Sequence, residues 1–192
     1  MNLLAIVFVA ILANNIVLNQ FLGICPYLGV SKRIETSLGM GMAVIFVMAM
    51  SGIVTWIVYN YLLEPFGLVY LRTIAFILVI AGLVQLVETI LKKTNPTLFR
   101  ALGIYLPLIT TNCTILGVAL LNVQAGHNII QTIVYAIAVA VGFTIALVIM
   151  AGIRERLELA SVSSFLRGAA VSLVTAGILS LAFMGFKGMM TL

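Results

Sequence analysis

Two cysteines are the residues best suited to chemistry in this chain, and each one opens a similar phrase. Cys25 begins Cys-Pro-Tyr-Leu-Gly-Val, and Cys113 begins Cys-Thr-Ile-Leu-Gly-Val. Both phrases lie in strongly apolar sequence, a little under half the chain length apart. The duplication indicates two related halves that each provide one sulfur. Two thiolates are half of the set that a four-thiolate zinc site or an iron–sulfur cluster requires.

Four interpretations of the cysteines are open on this pattern. A lone buried cysteine usually acts as a small hydrophobic side chain, but the repeated phrase weighs against that. A disulfide could join the halves, although a bilayer interior offers no obvious oxidant. Zinc would require more ligands, and the only histidine, His127, falls in an outer loop. An iron–sulfur cluster would need a similar partner chain to bring two more thiolates.

The composition defines the elements that must position these sulfurs. Hydrophobic residues make up 64% of the 192 residues and charged residues 8%, with a mean hydropathy of +1.28. That balance excludes a soluble protein and predicts an all-α polytopic membrane protein that forms a single membrane domain over residues 1–192. The sequence contains nothing that resembles a Ser/His/Asp or metal-hydrolase site, so we expect no catalytic residues on this chain. The net charge of +5 arises mainly from short loops, so it indicates membrane topology rather than nucleic-acid binding.

Six apolar segments of roughly 20 residues predict six transmembrane helices. Their approximate bounds are 3–24, 38–63, 72–91, 101–121, 129–152 and 168–187. All of the ten Lys and Arg residues except Arg72 and Lys187 fall in the first, third and fifth connecting loops. The positive-inside rule therefore predicts that these loops are cytoplasmic and that both termini lie on the outer, periplasmic side.

This topology predicts an inverted repeat, with one three-helix half at about 1–95 and the other at about 96–192. Each half has a cysteine phrase in its first span and a proline close by: Pro26 follows Cys25, and Pro107 precedes Cys113. Proline removes a helical hydrogen bond, so we expect broken or half-helices at both phrases. A straight first helix would leave Cys25 near the cytoplasmic end, so a midplane sulfur requires this break.

Small and polar residues beside the cysteines are candidates for contacts with a group that the sulfurs hold. Polar side chains in hydrocarbon are costly unless paired, although hydrogen bonding between helices is the simpler explanation for any one of them. The candidates are Pro26, Gly29, Thr111, Asn112 and Gly117. Glu88, in the third span, is a candidate for an ion pathway, with an ion pair to Lys92 as the alternative.

Longer stretches carry a family resemblance over essentially the whole chain. They are Phe21-Leu-Gly-Ile-Cys-Pro-Tyr-Leu-Gly-Val-Ser-Lys32, Leu71-Arg-Thr-Ile-Ala-Phe-Ile-Leu78, Leu106-Pro-Leu-Ile-Thr-Thr-Asn-Cys-Thr-Ile-Leu-Gly117, Gly126-His-Asn128, Ile153-Arg-Glu-Arg-Leu157 and Ala182-Phe-Met-Gly-Phe186. In these the chain resembles the family that comprises the A-type and E-type subunits of the Rnf complex and the D-type and E-type subunits of the sodium-pumping NADH:quinone reductase. Within that family it is most similar to the A-type branch. Tyr27 stands where the family leads us to expect phenylalanine.

The resemblance implies a role in an ion-translocating ferredoxin:NAD oxidoreductase of the bacterial cytoplasmic (inner) membrane. Cys25 and Cys113 would be two of four ligands of a [2Fe–2S] cluster, and the homologous E-type subunit, inverted in the bilayer, would supply the other two. The B-, C-, D- and G-type subunits would be further partners, with flavins and more iron–sulfur clusters. Electrons would cross the membrane coupled to movement of Na⁺ or H⁺.

Two other functions fit the pattern of residues without the resemblance. An inverted-repeat secondary transporter would use broken helices to bind a solute or ion near the midplane. A structural membrane scaffold would contain inert cysteines. Iron, labile sulfide and a reduced-state paramagnetic signal would distinguish the redox protein from both.

Overall fold

The computed structural model describes residues 3–94, 106–159 and 168–190 of the chain. Every regular element within these ranges is helical, which confirms the predicted all-α class. In chain order they are α1 Leu3–Phe8 with a π-helical turn Val9–Ala13, α2 Ile16–Gln20, α3 Ile24–Val30, α4 Ile34–Val58 with a π-helical turn Tyr59–Leu63, a 3₁₀ turn Val69–Leu71, α5 Arg72–Thr94, α6 Leu106–Thr110, α7 Cys113–Gln124, α8 Ile129–Leu159 and α9 Ala169–Met190.

Four segments in the described ranges are long and apolar enough to cross a membrane. They are Ile34–Leu63, Val69–Ile90, Pro107–Gln124 and Ile129–Glu158. These segments correspond to the second to fifth predicted spans. The sixth contains a shorter apolar helix, Ala170–Gly185, and the first is divided into short helices. The chain is therefore a multi-pass helical membrane protein, whereas the count of six spans stays a prediction. The predicted repeat boundary near residue 95 lies outside the described residues.

The chain forms two compact units. One comprises Met1–Met42 and Ala138–Leu192, and the other comprises Ala43–Ile137. The first unit contains Cys25 and the second contains Cys113. In the second unit α5 packs against α6 and α7, with Phe76, Ile80 and Val84 buried along one face of the helix. Residues on its other side are exposed, as expected of a helix that faces lipid or another protein chain.

The first predicted span is interrupted twice within the first unit. One interruption is at Asn14–Asn15, and the other lies between α2 and α3, where Phe21 (φ 55°) and Gly23 (φ 81°) have left-handed backbone conformations. Glycine adopts this conformation without steric cost, whereas a residue with a Cβ loses roughly 1–2 kcal/mol. The prediction of a break before Pro26 is correct, and the earlier interruption was not predicted.

Hydrogen bonds to α8 and α9 stabilise this broken span. Asn15 caps α2 by accepting a hydrogen bond from Val17 N (3.1 Å), and its Nδ2 donates to the Gly142 carbonyl on α8 (2.8 Å). Ser180 Oγ on α9 donates to the Leu18 carbonyl near the end of α2 (2.6 Å). Irregular backbone is tolerated at membrane depth only where protein or a cavity satisfies the freed groups. The bonds to Val17 N and to the Leu18 carbonyl satisfy two backbone groups of the broken span.

Gly142 permits close approach of α8 to the π-helical turn. A Cβ at this position would lie 3.2 Å from the Ile11 carbonyl oxygen and 3.3 Å from that of Ala10. Small residues let membrane helices approach backbone to backbone, which gains packing and permits hydrogen bonds between helices. The same contact region contains the bond from Asn15 to the Gly142 carbonyl, so glycine here supports the position of the broken span.

Candidate functional site

Cys25 lies in the first turn of α3. Gly23 is the residue before the helix, and Ile24, Cys25 and Pro26 form its first turn. Proline fits there because the first N–H groups of a helix have no partner within the helix. The helix start predicted at this phrase is therefore confirmed. The Cys25 side chain is exposed and forms no disulfide, so its sulfur is open to a ligand or another protein chain.

The other predicted residues of this phrase lie on the same short helix. Pro26 is buried and Gly29 is exposed. Tyr27 is only 1% exposed, and its hydroxyl has no hydrogen-bond partner among the described residues. The first turn of α3 thus presents a thiol on its open side and packs its proline and tyrosine into the protein.

Cys113 is the first residue of α7. The helix α6 ends at Thr110, and Thr111 Oγ1 donates to the Pro107 carbonyl at 2.9 Å, within that preceding turn. Asn112 is extended (φ −70°, ψ 111°) and caps α7, because its Oδ1 accepts a hydrogen bond from Thr114 N at 3.0 Å. The predicted break between Pro107 and Cys113 is confirmed and falls at Thr111–Asn112.

Two buried polar atoms beside Cys113 have no partner in the part of the chain that the structure describes. They are Nδ2 of Asn112, whose residue is 4% exposed, and Oγ1 of Thr114, whose residue is fully buried. An unsatisfied buried donor costs about 1–3 kcal/mol, so native structures rarely keep one without a reason. Both residues belong to the polar cluster that the sequence shows around Cys113, but only Asn112 was among the predicted contact residues.

The two cysteines are the candidate sulfur ligands, and each compact unit contains one of them. No group of three or more His, Cys, Asp or Glu side chains that could hold a metal occurs within residues 3–94, 106–159 and 168–190. Each cysteine lies in the first turn of a helix. Gly117 follows Cys113 by one turn of α7 and is half-buried. Two such thiols meet half the requirement of a four-thiolate group.

Glu88, the predicted ion-pathway residue, is half-buried on α5. Since α5 packs against α6 and α7, Glu88 and Cys113 lie on neighbouring helices of the second unit. The Glu88 carboxyl group is therefore on α5, next to α7, the helix that starts at Cys113. Its role in ion movement stays a prediction.

Arg154 and Glu155, on α8, belong to a stretch that carries the family resemblance, but the sequence assigned them no role at the site. Arg154 Nη1 donates to the Leu28 carbonyl at 2.7 Å and to Ser31 Oγ at 2.9 Å, at the C-terminal end of α3. Glu155 Oε1 accepts a hydrogen bond from Ile34 N, the first residue of α4, at 3.0 Å. Each charge lies at the helix end whose dipole it complements. Adjacent residues of α8 therefore fix both sides of the basic loop after Cys25.

His127 belongs to a separate polar cluster in the second unit. Its Nδ1 lies 2.9 Å from Asn122 Oδ1, and its ring meets that of Tyr135 edge-on with centroids 5.5 Å apart. Trp56 Nε1 donates to the His127 carbonyl at 3.1 Å. Burial lowers the pKa of His127 below its usual 6.5. These contacts connect α4, α7 and α8, and they give the only histidine of the chain a structural role.

Comparison with known proteins identifies the family. Residues 3–190 match the Rnf-Nqr family, whose members are described as membrane proteins and Rnf-Nqr subunits.

The A-type subunit of the Na⁺-translocating ferredoxin:NAD⁺ oxidoreductase complex of Acetobacterium woodii is 57% identical over 189 residues, 98% of each chain. The A-type subunit of the ion-translocating oxidoreductase complex of Syntrophotalea carbinolica is 57% identical over 188 residues, 98% of this chain and 97% of the relative. The A-type subunit of the ion-translocating oxidoreductase complex of Escherichia fergusonii is 54% identical over 182 residues, which are 95% of this chain and 94% of the relative. The chain belongs to the Rnf-Nqr family of membrane subunits.

Proposed function

We propose that this protein is the A-type subunit of an ion-translocating ferredoxin:NAD oxidoreductase complex of the bacterial inner membrane. One observation carries the proposal: the identity of 54–57% extends over nearly the whole chain, to proteins that are named as the A-type subunits of such complexes. Similarity of this extent leaves no room for a different membrane domain in the chain. The protein contributes to electron transfer and ion movement and contains no complete active site of its own.

Within the complex, Cys25 and Cys113 provide two of the four thiolates of a [2Fe–2S] cluster, and the homologous E-type subunit provides the other two. The chain has only these two cysteines, and each lies in the first turn of a helix. A bound two-iron cluster supplies one-electron transfer. The other partners are the B-, C-, D- and G-type subunits, which hold flavins and further iron–sulfur clusters.

Residues next to each cysteine fix the position of its sulfur. The glycine at 23 permits the left-handed turn that starts α3, and Pro26 fixes the first turn behind Cys25. Asn112 caps α7, whose first residue is Cys113. Gly29 and Gly117, which have no side chain, are the residues of the same helices that we assign to close approach of another backbone or a prosthetic group. Each cysteine is thus held by backbone geometry rather than by a flexible loop.

The membrane arrangement is part of the proposal. Six helices form two inverted three-helix repeats, with both termini periplasmic and the three basic loops cytoplasmic. The distribution of Lys and Arg supports this orientation. We assign Glu88 on α5 to a pathway for Na⁺ or H⁺. Burying an acidic side chain within a membrane span costs free energy, so such residues usually have a function.

The test is a measurement of iron and labile sulfide on this protein purified together with its homologous partner, followed by electron paramagnetic resonance of the reduced sample. We expect a two-iron signal that is lost in both Cys25→Ser and Cys113→Ser. Ile24→Val, next to Cys25 on the same turn, is the matched control and should keep the signal. A signal that survives both serine substitutions contradicts the ligand assignment. Solute flux that needs no electron donor would instead indicate a secondary transporter.

The topology has its own test. Small tags placed at each terminus in intact cells should react with a membrane-impermeant reagent from the periplasmic side, whereas a tag at Lys32 should react only after lysis. An inaccessible N-terminus would contradict the inverted repeat without affecting the assignment of the sulfurs.

A further inference from the structure

We propose that Asn112 and Thr114 donate hydrogen bonds, through Nδ2 and Oγ1, to the anionic sulfur group held at Cys113, and thereby raise its reduction potential. This inference rests on the proposed function and names the two side chains that tune the site. Neither donor touches iron, so both are positioning and tuning residues rather than ligands.

The geometry of Asn112 places its amide group at the start of α7. Its Oδ1 accepts the hydrogen bond from Thr114 N at 3.0 Å, across the residue Cys113. Because Oδ1 and Nδ2 belong to one planar amide, Nδ2 lies at the same helix end. The acceptor of the amide is therefore used by the cap, whereas its donor is buried at the same helix end and has no partner among the described residues.

Asn15 is a second capping asparagine, and its side-chain Nδ2 has a hydrogen-bond partner within the protein. Asn15 caps α2 with the same bond, from Val17 N to Oδ1 at 3.1 Å. Its Nδ2 is paired with the Gly142 carbonyl at 2.8 Å. Asn112 uses the same capping geometry, but its Nδ2 has no partner among the described residues. The difference leaves the Asn112 donor uncommitted within the described residues, next in sequence to Cys113.

Burial makes the unpaired donors costly. Asn112 is 4% exposed and Thr114 is fully buried, so water does not replace the absent partners as it does at a surface. An aspartate would cap the helix about as well as asparagine but has no donor when ionised. The amide and the hydroxyl thus suit an acceptor, and a thiolate or sulfide is the acceptor that the neighbouring cysteine implies.

The expected consequence is electrochemical. Reduction adds negative charge to the sulfur ligands, so hydrogen bonds to them stabilise the reduced form more than the oxidised form. Loss of either donor should therefore move the midpoint potential in the negative direction without removing iron. A purely structural role for these residues would alter stability or iron content and leave the potential unchanged.

The experiment is a redox titration of the purified complex, followed by electron paramagnetic resonance. Thr114→Val, which keeps the shape of the side chain but has no hydroxyl, should titrate at a more negative potential than wild type with unchanged iron. Asn112→Gly, which is tolerated at a helix N-cap and has no side-chain donor, should do the same. Thr114→Ser should return to the wild-type potential. Thr132→Val is the matched control, because the Thr132 hydroxyl is also buried and unpaired among the described residues, on α8.

A second readout covers variants that assemble poorly. Reduced wild type should show hyperfine coupling to exchangeable protons that disappears in deuterated buffer, and Thr114→Val should lack part of this coupling. Unchanged potential and unchanged coupling in both variants, with the iron signal intact, would overturn this inference and leave the proposed function standing. Absence of any cysteine-dependent iron signal in wild type would overturn both.

Discussion

Arg154 Nη1 lies 2.7 Å from the carbonyl oxygen of Leu28, and this bond joins α8 to the last turn of α3. Leu28 follows Cys25 by less than one turn of that helix. The helix has only seven residues, which is too short to be stable alone, so contacts at its C-terminal end fix the direction of its first turn. Arg154 therefore helps to determine where Cys25 points.

Replacing Arg154 with alanine should destabilise the first unit. The substitution removes two charge-assisted hydrogen bonds and leaves the Leu28 carbonyl without its partner, which predicts a loss of about 1.5–3 kcal/mol. Thermal unfolding in detergent, followed by circular dichroism, should show a lower midpoint for Arg154→Ala, partly recovered in Arg154→Lys. The exposed Arg156 supplies the control, and Arg156→Ala should unfold like wild type. Equal midpoints for the two alanine variants would contradict the role of Arg154.

Glu155 should contribute mainly as a cap rather than as a charge. Its Oε1 accepts the hydrogen bond of the first N–H of α4, at Ile34. Glu155→Ala leaves that N–H unpaired and should cost about 1 kcal/mol, whereas Glu155→Gln keeps an acceptor and should cost a few tenths. Chemical unfolding of both variants beside Glu158→Ala, an exposed acid on the same helix, measures the difference. A glutamine variant as unstable as the alanine variant would show that the charge, not the cap, matters.

Gly142 should not tolerate a methyl group. The added Cβ would lie 3.2–3.3 Å from two carbonyl oxygens of the π-helical turn, and backbone cannot move aside as a flexible side chain can. We expect Gly142→Ala to lower the unfolding free energy by about 1–3 kcal/mol. Gly152→Ala, on the same helix with no atom within 4 Å of the new Cβ, should be neutral or slightly stabilising. The comparison of their thermal midpoints is the measurement, and a tolerated alanine at 142 would contradict the close packing.

The stability of the protein should fall as the pH drops below about 6.5, through His127. Burial lowers the pKa of this histidine in the fold, so the unfolded chain binds a proton at a higher pH than the folded chain does. The contribution is therefore fully present above pH 6.5 and is lost as the pH falls toward the folded pKa. Thermal midpoints from pH 5 to pH 8 should show this slope in wild type.

His127→Asn is the matched variant for that measurement. Its Nδ2 can donate to Asn122 Oδ1 as the imidazole Nδ1 does, but it does not titrate. The variant should have a flatter dependence of the midpoint on pH below 6.5. The same slope in both proteins would assign the acid sensitivity to other groups.

Local chemistry explains why the helix starts at the two cysteines could be predicted. Pro26 in a first turn, and an asparagine before Cys113 with Pro107 further back, are signals that act within a few residues. The interruption at Asn14–Asn15 was missed because asparagine there could equally pair with another helix. Its side chain does both, since it caps α2 and bonds to Gly142 on α8.

The sequence by itself determined the class of protein, the helical segments and the two sulfurs, because hydropathy, charge and proline act over short stretches of chain. Only the tertiary structure decided that Arg154 bonds to the Leu28 carbonyl and that Ser180 bonds to that of Leu18. It also distinguished the paired amide of Asn15 from the unpaired amide of Asn112. Such partners lie far apart along the chain, and a hydrogen bond between them depends on how the helices pack, which no local pattern encodes.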